Sequence, residues 1–148
     1  MKKNAIISGC LLGLRCRYDG ESRPLPEEAL SLLKHRYNLI PVCAEQLGGL
    51  PTPRIPCEIK DKRVVNRLGE DVTEQYIKGA EEVLLIAKGF GCKTAILKQN
   101  SPSCGKGKIH NGCFDGGYVI GNGITADLLI REGIEVIGEE EILKEVSG

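Results

Sequence analysis

The sequence has few aromatic residues and no excess of either charge. It contains no tryptophan, two phenylalanines and four tyrosines, too few to form a platform on which single-stranded bases could stack. Lysine plus arginine equals aspartate plus glutamate, at 20 each, so no overall basic field attracts a polyanion. We therefore expect no large nucleic-acid surface.

Long apolar runs are also missing. No segment approaches the 18 apolar residues of a membrane span, and the run after Lys2 and Lys3 is too short for a signal peptide. We expect a soluble cytoplasmic protein with no membrane partner. A chain of 148 residues can bury a core without disulfides. In a reducing compartment its seven cysteines therefore favour metal binding or thiol chemistry.

The pattern of apolar residues predicts strands that alternate with helices. The predicted strands are 5–8, 38–43, 93–98 and 134–137, and the predicted helices are 26–36, 73–89, 125–131 and 139–146. Helix 73–89 is expected to bury Ile77, Ala80, Val83, Leu84 and Ala87. The segment 58–66 predicts a hairpin that turns at Asp61-Lys62. Together these elements predict a three-layer, Rossmann-like α/β fold, whose mostly parallel central sheet has about four core strands, with helices on both faces and a small hairpin.

Three cysteines follow predicted strands. Cys10 comes after the first strand, Cys43 closes the second, and Cys104 lies in the loop after the third. A single cysteine in such a position is more often a small buried hydrophobe. Ligands of α/β proteins, however, bind at the carboxyl ends of the strands, so three cysteines there favour one shared site.

The other four cysteines have weaker claims to that site. Cys16 lies between Arg15 and Arg17, six residues after Cys10, and is either a fourth ligand or a thiolate stabilised by cations. Cys57, Cys92 and Cys113 lack comparable neighbours and are expected to be structural or incidental. Cys16 is therefore kept as the reserve ligand.

The sulfur ligands could hold zinc or an iron–sulfur cluster. The paired C-x-x-C motifs of zinc sites are absent, whereas dispersed cysteines can hold a cluster when the fold brings them together. Three cysteines on a four-iron cluster leave one iron open as a Lewis acid. Cys104 as a nucleophile without a metal is less favoured. It would need a histidine as its base, and that histidine would have to be His110.

Two polar residues accompany these cysteines. Glu45, two residues after Cys43, is a candidate general base, although an acidic loop residue is usually solvated. Ser101, three residues before Cys104, could position water or substrate, and the alternative is a hydroxyl that caps the turn. The segment 121–126 fits the outline G-x-G-x-x-A without a complete dinucleotide-binding unit around it. Its backbone N–H groups could still hold an anionic or carbonyl group of a ligand.

Several motifs together resemble the thiouracil desulfidase (TudS) family, small bacterial proteins first described as a domain of unknown function. The motifs are Cys10-Leu-Leu-Gly, Cys16-Arg-Tyr-Asp-Gly, Pro41-Val-Cys-Ala-Glu, Leu47-Gly-Gly-Leu-Pro-Thr-Pro-Arg and Ser101-Pro-Ser-Cys-Gly. The resemblance covers nearly the whole chain. It implies that residues 1–148 form a single iron–sulfur desulfidase-like domain. Ala44 departs from the proline expected in many relatives, but it removes no chemical group.

The resemblance also implies a cofactor and a reaction. The cofactor is a [4Fe-4S] cluster with one iron not bound by protein, and Cys10, Cys43 and Cys104 are its expected ligands. The implied reaction is non-redox hydrolysis of C=S to C=O in thiouracil or a related thiolated nucleobase, with Glu45 and Ser101 as catalytic residues. Alternatives are a metal-binding redox-sensing or sulfur-transfer module without hydrolytic activity, and an enzyme acting on thiolated tRNA. Oligomeric state stays open.

Overall fold

The computed structural model describes residues 2–147 of the chain. Its strands are β1 (Lys3–Ser8), β2 (Tyr37–Val42), β3 (Cys57–Lys60), β4 (Arg63–Asn66), β5 (Thr94–Leu97), β6 (Lys108–His110), β7 (Tyr118–Ile120) and β8 (Glu135–Gly138). Its α-helices are α1 (Glu27–Arg36), α2 (Ala44–Leu47), α3 (Thr73–Gly89), α4 (Ile124–Arg131) and α5 (Glu139–Ser147). A 3₁₀ helix, Gly9–Leu12, follows β1 directly.

The central sheet has four parallel strands in the order β2-β1-β5-β8. Ala5 in β1 pairs with Leu39 on one side and Thr94 on the other. Since all four strands run in the same direction, their carboxyl ends lie along one edge of the sheet. The α/β fold with a parallel central sheet is confirmed.

Helices cover both faces of this sheet, because its inner strands are apolar on both sides. Ile6, Ala95 and Val136 pack with residues of α3 and α4. Ile7 and Ile96 belong to a second cluster with residues of α1 and α5. Two separate apolar layers therefore flank the sheet and fix the edge at which β1, β2 and β5 end.

The buried face of α3 differs from the expected one at Ile77, which is exposed, and at Leu84, which is half-buried. Ile77, expected in the core, is 45% exposed, whereas Tyr76 is 1% exposed. Tyr76, Ala80, Val83 and Ala87 form the buried stripe, with the spacing of one helix face. Consequently, α3 presents a phenol to the interior.

The structure contains two hairpins, although only one was expected. In the predicted hairpin, β3 and β4 pair around Asp61 and Lys62, whose φ angles of 50° and 66° suit a tight two-residue turn. The second hairpin pairs β6 with β7 and was not predicted. None of the helices within residues 2–147 is long and apolar enough to cross a lipid bilayer.

Candidate functional site

A cavity of about 420 Å³ opens at the carboxyl ends of β1, β2 and β5. Cys10 lies in the 3₁₀ helix after β1, and Cys43 is the single residue between β2 and α2; both line the cavity. Cys104 comes from the loop after β5. The fold thus brings these three cysteines to one cavity, together with Glu45 and Ser101.

Cys16 also lines the cavity and contacts two of these thiols. The Cys43 thiol donates a hydrogen bond to the backbone oxygen of Cys16, 3.5 Å away. Contact with the Cys10 thiol is the largest influence that raises the pKa of Cys16. Contact with the Cys16 thiol, followed by burial, raises the pKa of Cys43 far above its usual range. The raised pKa values of Cys16 and Cys43 favour the protonated form of these two thiols.

Cys104 is held by a turn that Ser101 organises. The Ser101 Oγ atom accepts hydrogen bonds from the backbone N–H groups of Ser103 and Cys104, both at 3.0 Å. Burial raises the pKa of Cys104 to about 12, and the negative charge of Glu45 has a smaller effect in the same direction. Because two backbone donors already engage Oγ, the Ser101 hydroxyl keeps its own O–H to donate. Its turn-capping role and a role in the cavity are therefore compatible.

Glu45 lies in the first turn of α2, and its two carboxylate oxygens have different surroundings. Oε2 accepts hydrogen bonds from Arg54 Nε at 2.9 Å and from the Tyr76 hydroxyl at 3.0 Å. Within residues 2–147, Oε1 has no hydrogen-bond donor. The side chain is 17% exposed, so Glu45 is a held carboxylate with one free oxygen rather than a solvated loop residue.

Arg54 connects this carboxylate to the loop that carries Cys16. Its side chain is 5% exposed, and its Nη2 donates to the backbone oxygen of Cys16 at 2.9 Å. Nη1 donates to the Pro51 carbonyl and the Thr52 hydroxyl at 3.1 and 3.0 Å. A buried guanidinium with this set of acceptors is rigid, and it couples the position of Glu45 to that of Cys16.

Three residues of the site were not predicted from the sequence: Arg54, Tyr76 and Cys57. Burial, and then the charge of Glu45, raises the pKa of Tyr76 far above its usual range, so the phenol is a donor. Cys57, expected to be structural or incidental, lines the same cavity as the proposed ligands. Burial raises the pKa of Cys57. Arg54 ends the Leu47–Arg54 motif, which was its only signal in the sequence.

Most N–H groups of the Gly-rich segment 121–126 are already hydrogen-bonded within the protein. The N–H of Ile124 donates to the Pro102 carbonyl, and the N–H groups of Thr125 and Ala126 donate to the Ser103 carbonyl. A Cβ atom at Gly123 would overlap the backbone of Ser103. The expectation that the N–H groups at the start of α4 hold a ligand is therefore wrong, because they instead hold the turn that carries Cys104.

The donor set fits a cluster better than a single ion. Within the described part of the chain, no three His, Cys, Asp or Glu side chains converge closely enough to hold one metal ion. A cluster binds each thiolate through a different iron, so its cysteines are spread around a cavity, as Cys10, Cys43 and Cys104 are. All seven cysteines are free thiols, and soft sulfur donors suit iron–sulfur centres.

Comparisons with known proteins agree with this geometry. Residues 5–141 match the family model of 2-thiouracil desulfurase. The uncharacterised protein YbbK of Bacillus subtilis (strain 168) is 42% identical over 147 residues, which cover 93% of this chain and 96% of YbbK. The solved structure of the [4Fe-4S]-dependent thiouracil desulfidase TudS has 42% identity and a TM-score of 0.90, with 99% of each chain covered.

Proposed function

The chain belongs to the 2-thiouracil desulfurase family, and from this we propose that it hydrolyses the C=S bond of thiouracil or a related thiolated nucleobase. Water supplies the oxygen of the C=O product, and sulfur leaves as hydrosulfide with no net oxidation or reduction. The observation that carries the proposal is the single cavity lined by Cys10, Cys43, Cys104, Glu45 and Ser101. We propose that residues 1–148 act as one desulfidase domain.

The proposed ligands of the [4Fe-4S] cluster are Cys10, Cys43 and Cys104. Each follows a parallel strand of the central sheet, which gives the three ligands a rigid base. Cys16 stays the reserve ligand, because it lines the same cavity but does not follow a strand of the central sheet. With only three protein ligands, the cluster would supply one iron free to act as a sulfur-binding Lewis acid.

The polar residues would activate and direct the water. The free Oε1 of Glu45 accepts a proton from water as its oxygen attacks the thiocarbonyl carbon. Arg54 and Tyr76 hold Oε2, so the carboxylate cannot rotate away. The Ser101 hydroxyl donates a hydrogen bond to the water or to the substrate. The C–S bond then breaks, and its electron pair leaves with the sulfur.

The alternatives explain fewer of the observations. A redox sensor or sulfur-transfer module needs thiols but gives no role to the buried contacts among Glu45, Arg54 and Tyr76. The family and the solved relative are desulfidases, which favours hydrolysis of the C=S bond as the reaction. Seven free thiols suit the reducing cytoplasm in which we propose that the protein works.

Anaerobic purification and an assay with 2-thiouracil test the proposed function. We expect a coloured protein with about four irons and four sulfides per chain, which converts 2-thiouracil to uracil and releases one hydrosulfide per turnover. Chromatography of the base and a colorimetric sulfide assay measure the two products. A protein that carries the cluster but releases no sulfide would contradict the proposal.

Alanine variants of single cysteines test the ligand set. Replacement of Cys10, Cys43 or Cys104 is expected to abolish retention of the cluster, as measured by iron content and visible absorbance. Cys57→Ala is the matched control, because Cys57 lines the same cavity but lies in β3 rather than after a strand of the central sheet. Loss of the cluster in Cys16→Ala, with retention in one of the three proposed ligand variants, would replace that ligand by Cys16.

A further inference from the structure

Three buried side-chain polar atoms in the described part of the chain have no hydrogen-bond partner: Arg17 Nη1, Asn100 Oδ1 and His110 Nδ1. All three residues line the thiol-bearing cavity. Arg17 Nη1 still has an ion-pair neighbour, Asp19 Oδ2, at 3.5 Å. Because an unpaired buried polar group is costly, unsatisfied atoms gathered in one cavity indicate groups that a ligand satisfies.

Asn100 is placed to contact the same ligand as the catalytic residues. It directly precedes Ser101, and its φ angle of 68° is in the left-handed region, which asparagine tolerates better than most residues. An isolated parallel bridge pairs Asn100 with Ile109, the neighbour of His110. The Oδ1 atom of Asn100 is buried and has no hydrogen-bond partner within residues 2–147. This position with a positive φ therefore holds an amide whose oxygen is free to accept a hydrogen bond from a ligand.

We propose that the side-chain amide of Asn100 binds the N3–H and C4=O edge of the pyrimidine and so sets the specificity for a uracil-type thiobase. This inference rests on the proposed function. An amide offers one acceptor and one donor side by side, and the N3–H and C4=O groups are a donor and an acceptor in the complementary order. With this edge on Asn100, the C2 sulfur is left to face the thiols and Glu45.

Another part of the cavity lining, formed by His110 and Tyr118, suits a flat ligand of this kind. The His110 ring stacks on Tyr118, with centroids 4.8 Å apart and an angle of 28° between the rings. Both residues line the cavity. The unpaired His110 Nδ1 offers one further hydrogen bond to a polar atom of the base. The cavity thus combines a polar edge at Asn100 with an aromatic surface.

Asn100→Asp tests the proposal, because a carboxylate only accepts hydrogen bonds. It still accepts from the N3–H group but opposes the C4=O group of uracil. Aspartate also tolerates a positive φ, so the backbone is preserved. We expect the ratio of kcat/KM for 2-thiouracil to that for 3-methyl-2-thiouracil, in which a methyl group blocks this edge, to fall roughly tenfold or more. Calorimetry with the sulfur-free bases uracil and 3-methyluracil on the cluster-loaded protein is expected to show the same change in preference.

Two further variants control for the added charge and for poor folding of Asn100→Asp. Asn122→Asp adds the same charge outside the cavity and is expected to leave both ratios unchanged, because an aspartate there still accepts from the Gly107 N–H. Asn100→Gly suits the positive φ and removes the amide without adding charge. It is expected to weaken uracil binding even if Asn100→Asp folds poorly.

The results separate this inference from the proposed function. A wild-type protein that releases sulfide from 2-thiouracil, with unchanged base preference in Asn100→Asp and unchanged uracil binding in Asn100→Gly, would overturn the role of Asn100 alone. A wild-type protein that binds uracil through Asn100 but releases no sulfide would overturn the proposed function and leave the binding role intact.

Discussion

At the scale of single residues, the catalytic proposal depends on how Glu45 is held. One carboxylate oxygen is engaged by Arg54 and Tyr76, and the other has no donor in the described part of the chain. The two oxygens therefore have different roles. Oε2 fixes the side chain, and Oε1 accepts a proton from the water. The same logic applies to Ser101, whose oxygen is engaged by two backbone donors and whose O–H remains free.

Glu45→Gln separates the two tasks. The glutamine oxygen still accepts hydrogen bonds from Arg54 and Tyr76, so the geometry and the iron content are expected to persist. The amide cannot take a proton from water, and we expect kcat with 2-thiouracil to fall about 100-fold or more. The buried guanidinium loses its counter-charge, so a lower Tm is also expected.

The matched control is Glu81→Gln, which makes the same replacement at an exposed position of α3. It is expected to leave kcat, iron content and Tm unchanged. Iron and sulfide determination, steady-state kinetics and thermal unfolding measure the three properties. Full turnover in Glu45→Gln would remove Glu45 from the role of general base.

Single residues of this site differ in whether the sequence could predict their roles. The convergence of Cys10, Cys43 and Cys104 was predictable, because parallel strands end at one edge of a sheet. The roles of Arg54 and Asn100 were not, because they depend on contacts between distant segments. Arg54 joins Glu45 to the backbone of Cys16, 38 residues from Arg54, and Asn100 is distinguished by a positive φ and an unpartnered oxygen in the folded chain.

At the scale of elements, the position of Glu45 depends on a close crossing of α2 and α3. Gly48, at the end of α2, approaches the Gln75 carbonyl, and Gly79 in α3 approaches the Ala44 carbonyl. A Cβ atom on either glycine would overlap backbone atoms of the other helix. Since Ala44 lies between Cys43 and Glu45, this crossing positions both a proposed ligand and the proposed base.

Gly79→Ala is therefore expected to damage both stability and the site. The new methyl group meets backbone atoms, which cannot move aside as a side chain can, so we expect a loss of about 3 kcal/mol in the free energy of unfolding. Displacement of Ala44 should also lower the iron content. Denaturant unfolding and iron determination measure the two effects.

Gly89→Ala controls for the change in helix propensity. Gly89 ends the same helix and a Cβ atom there would meet no neighbour, so the free energy of unfolding should stay equal or rise by about 0.4–1 kcal/mol. Wild-type stability and iron content in Gly79→Ala would contradict the proposed coupling between the helix crossing and the site.

The elements predicted from sequence were those with a strong periodicity. Helix α3 has the predicted bounds, because its apolar residues repeat at helical spacing over 17 residues. The β6–β7 hairpin was missed since its strands have three residues each. In addition, β7 is exposed on both sides, and Ile120 is 96% exposed. A strand such as β7 carries no alternation of buried and exposed residues that a sequence pattern could reveal.

At the scale of the whole molecule, the three proposed ligands come from segments that are distant in sequence. Cys10, Cys43 and Cys104 span 95 positions of the chain and follow the neighbouring strands β1, β2 and β5, respectively. A cluster bound by all three would cross-link the carboxyl edge of the sheet. It would bind the folded chain and not the unfolded one, so its binding free energy adds to the stability of the fold.

The cluster-loaded protein is therefore expected to unfold at a higher temperature than the same protein after anaerobic removal of iron with a chelator. A ligand present at about 100 times its dissociation constant adds about 2.7 kcal/mol, which for a chain of this size raises Tm by roughly 5–10 °C. Cys113→Ala, at an exposed cysteine outside the cavity, should keep this increment. Cys43→Ala should lose it, because one of the three links is missing. Calorimetry under nitrogen measures all three proteins, and an increment that survives in Cys43→Ala would show that the cluster is not held across the ends of β1, β2 and β5.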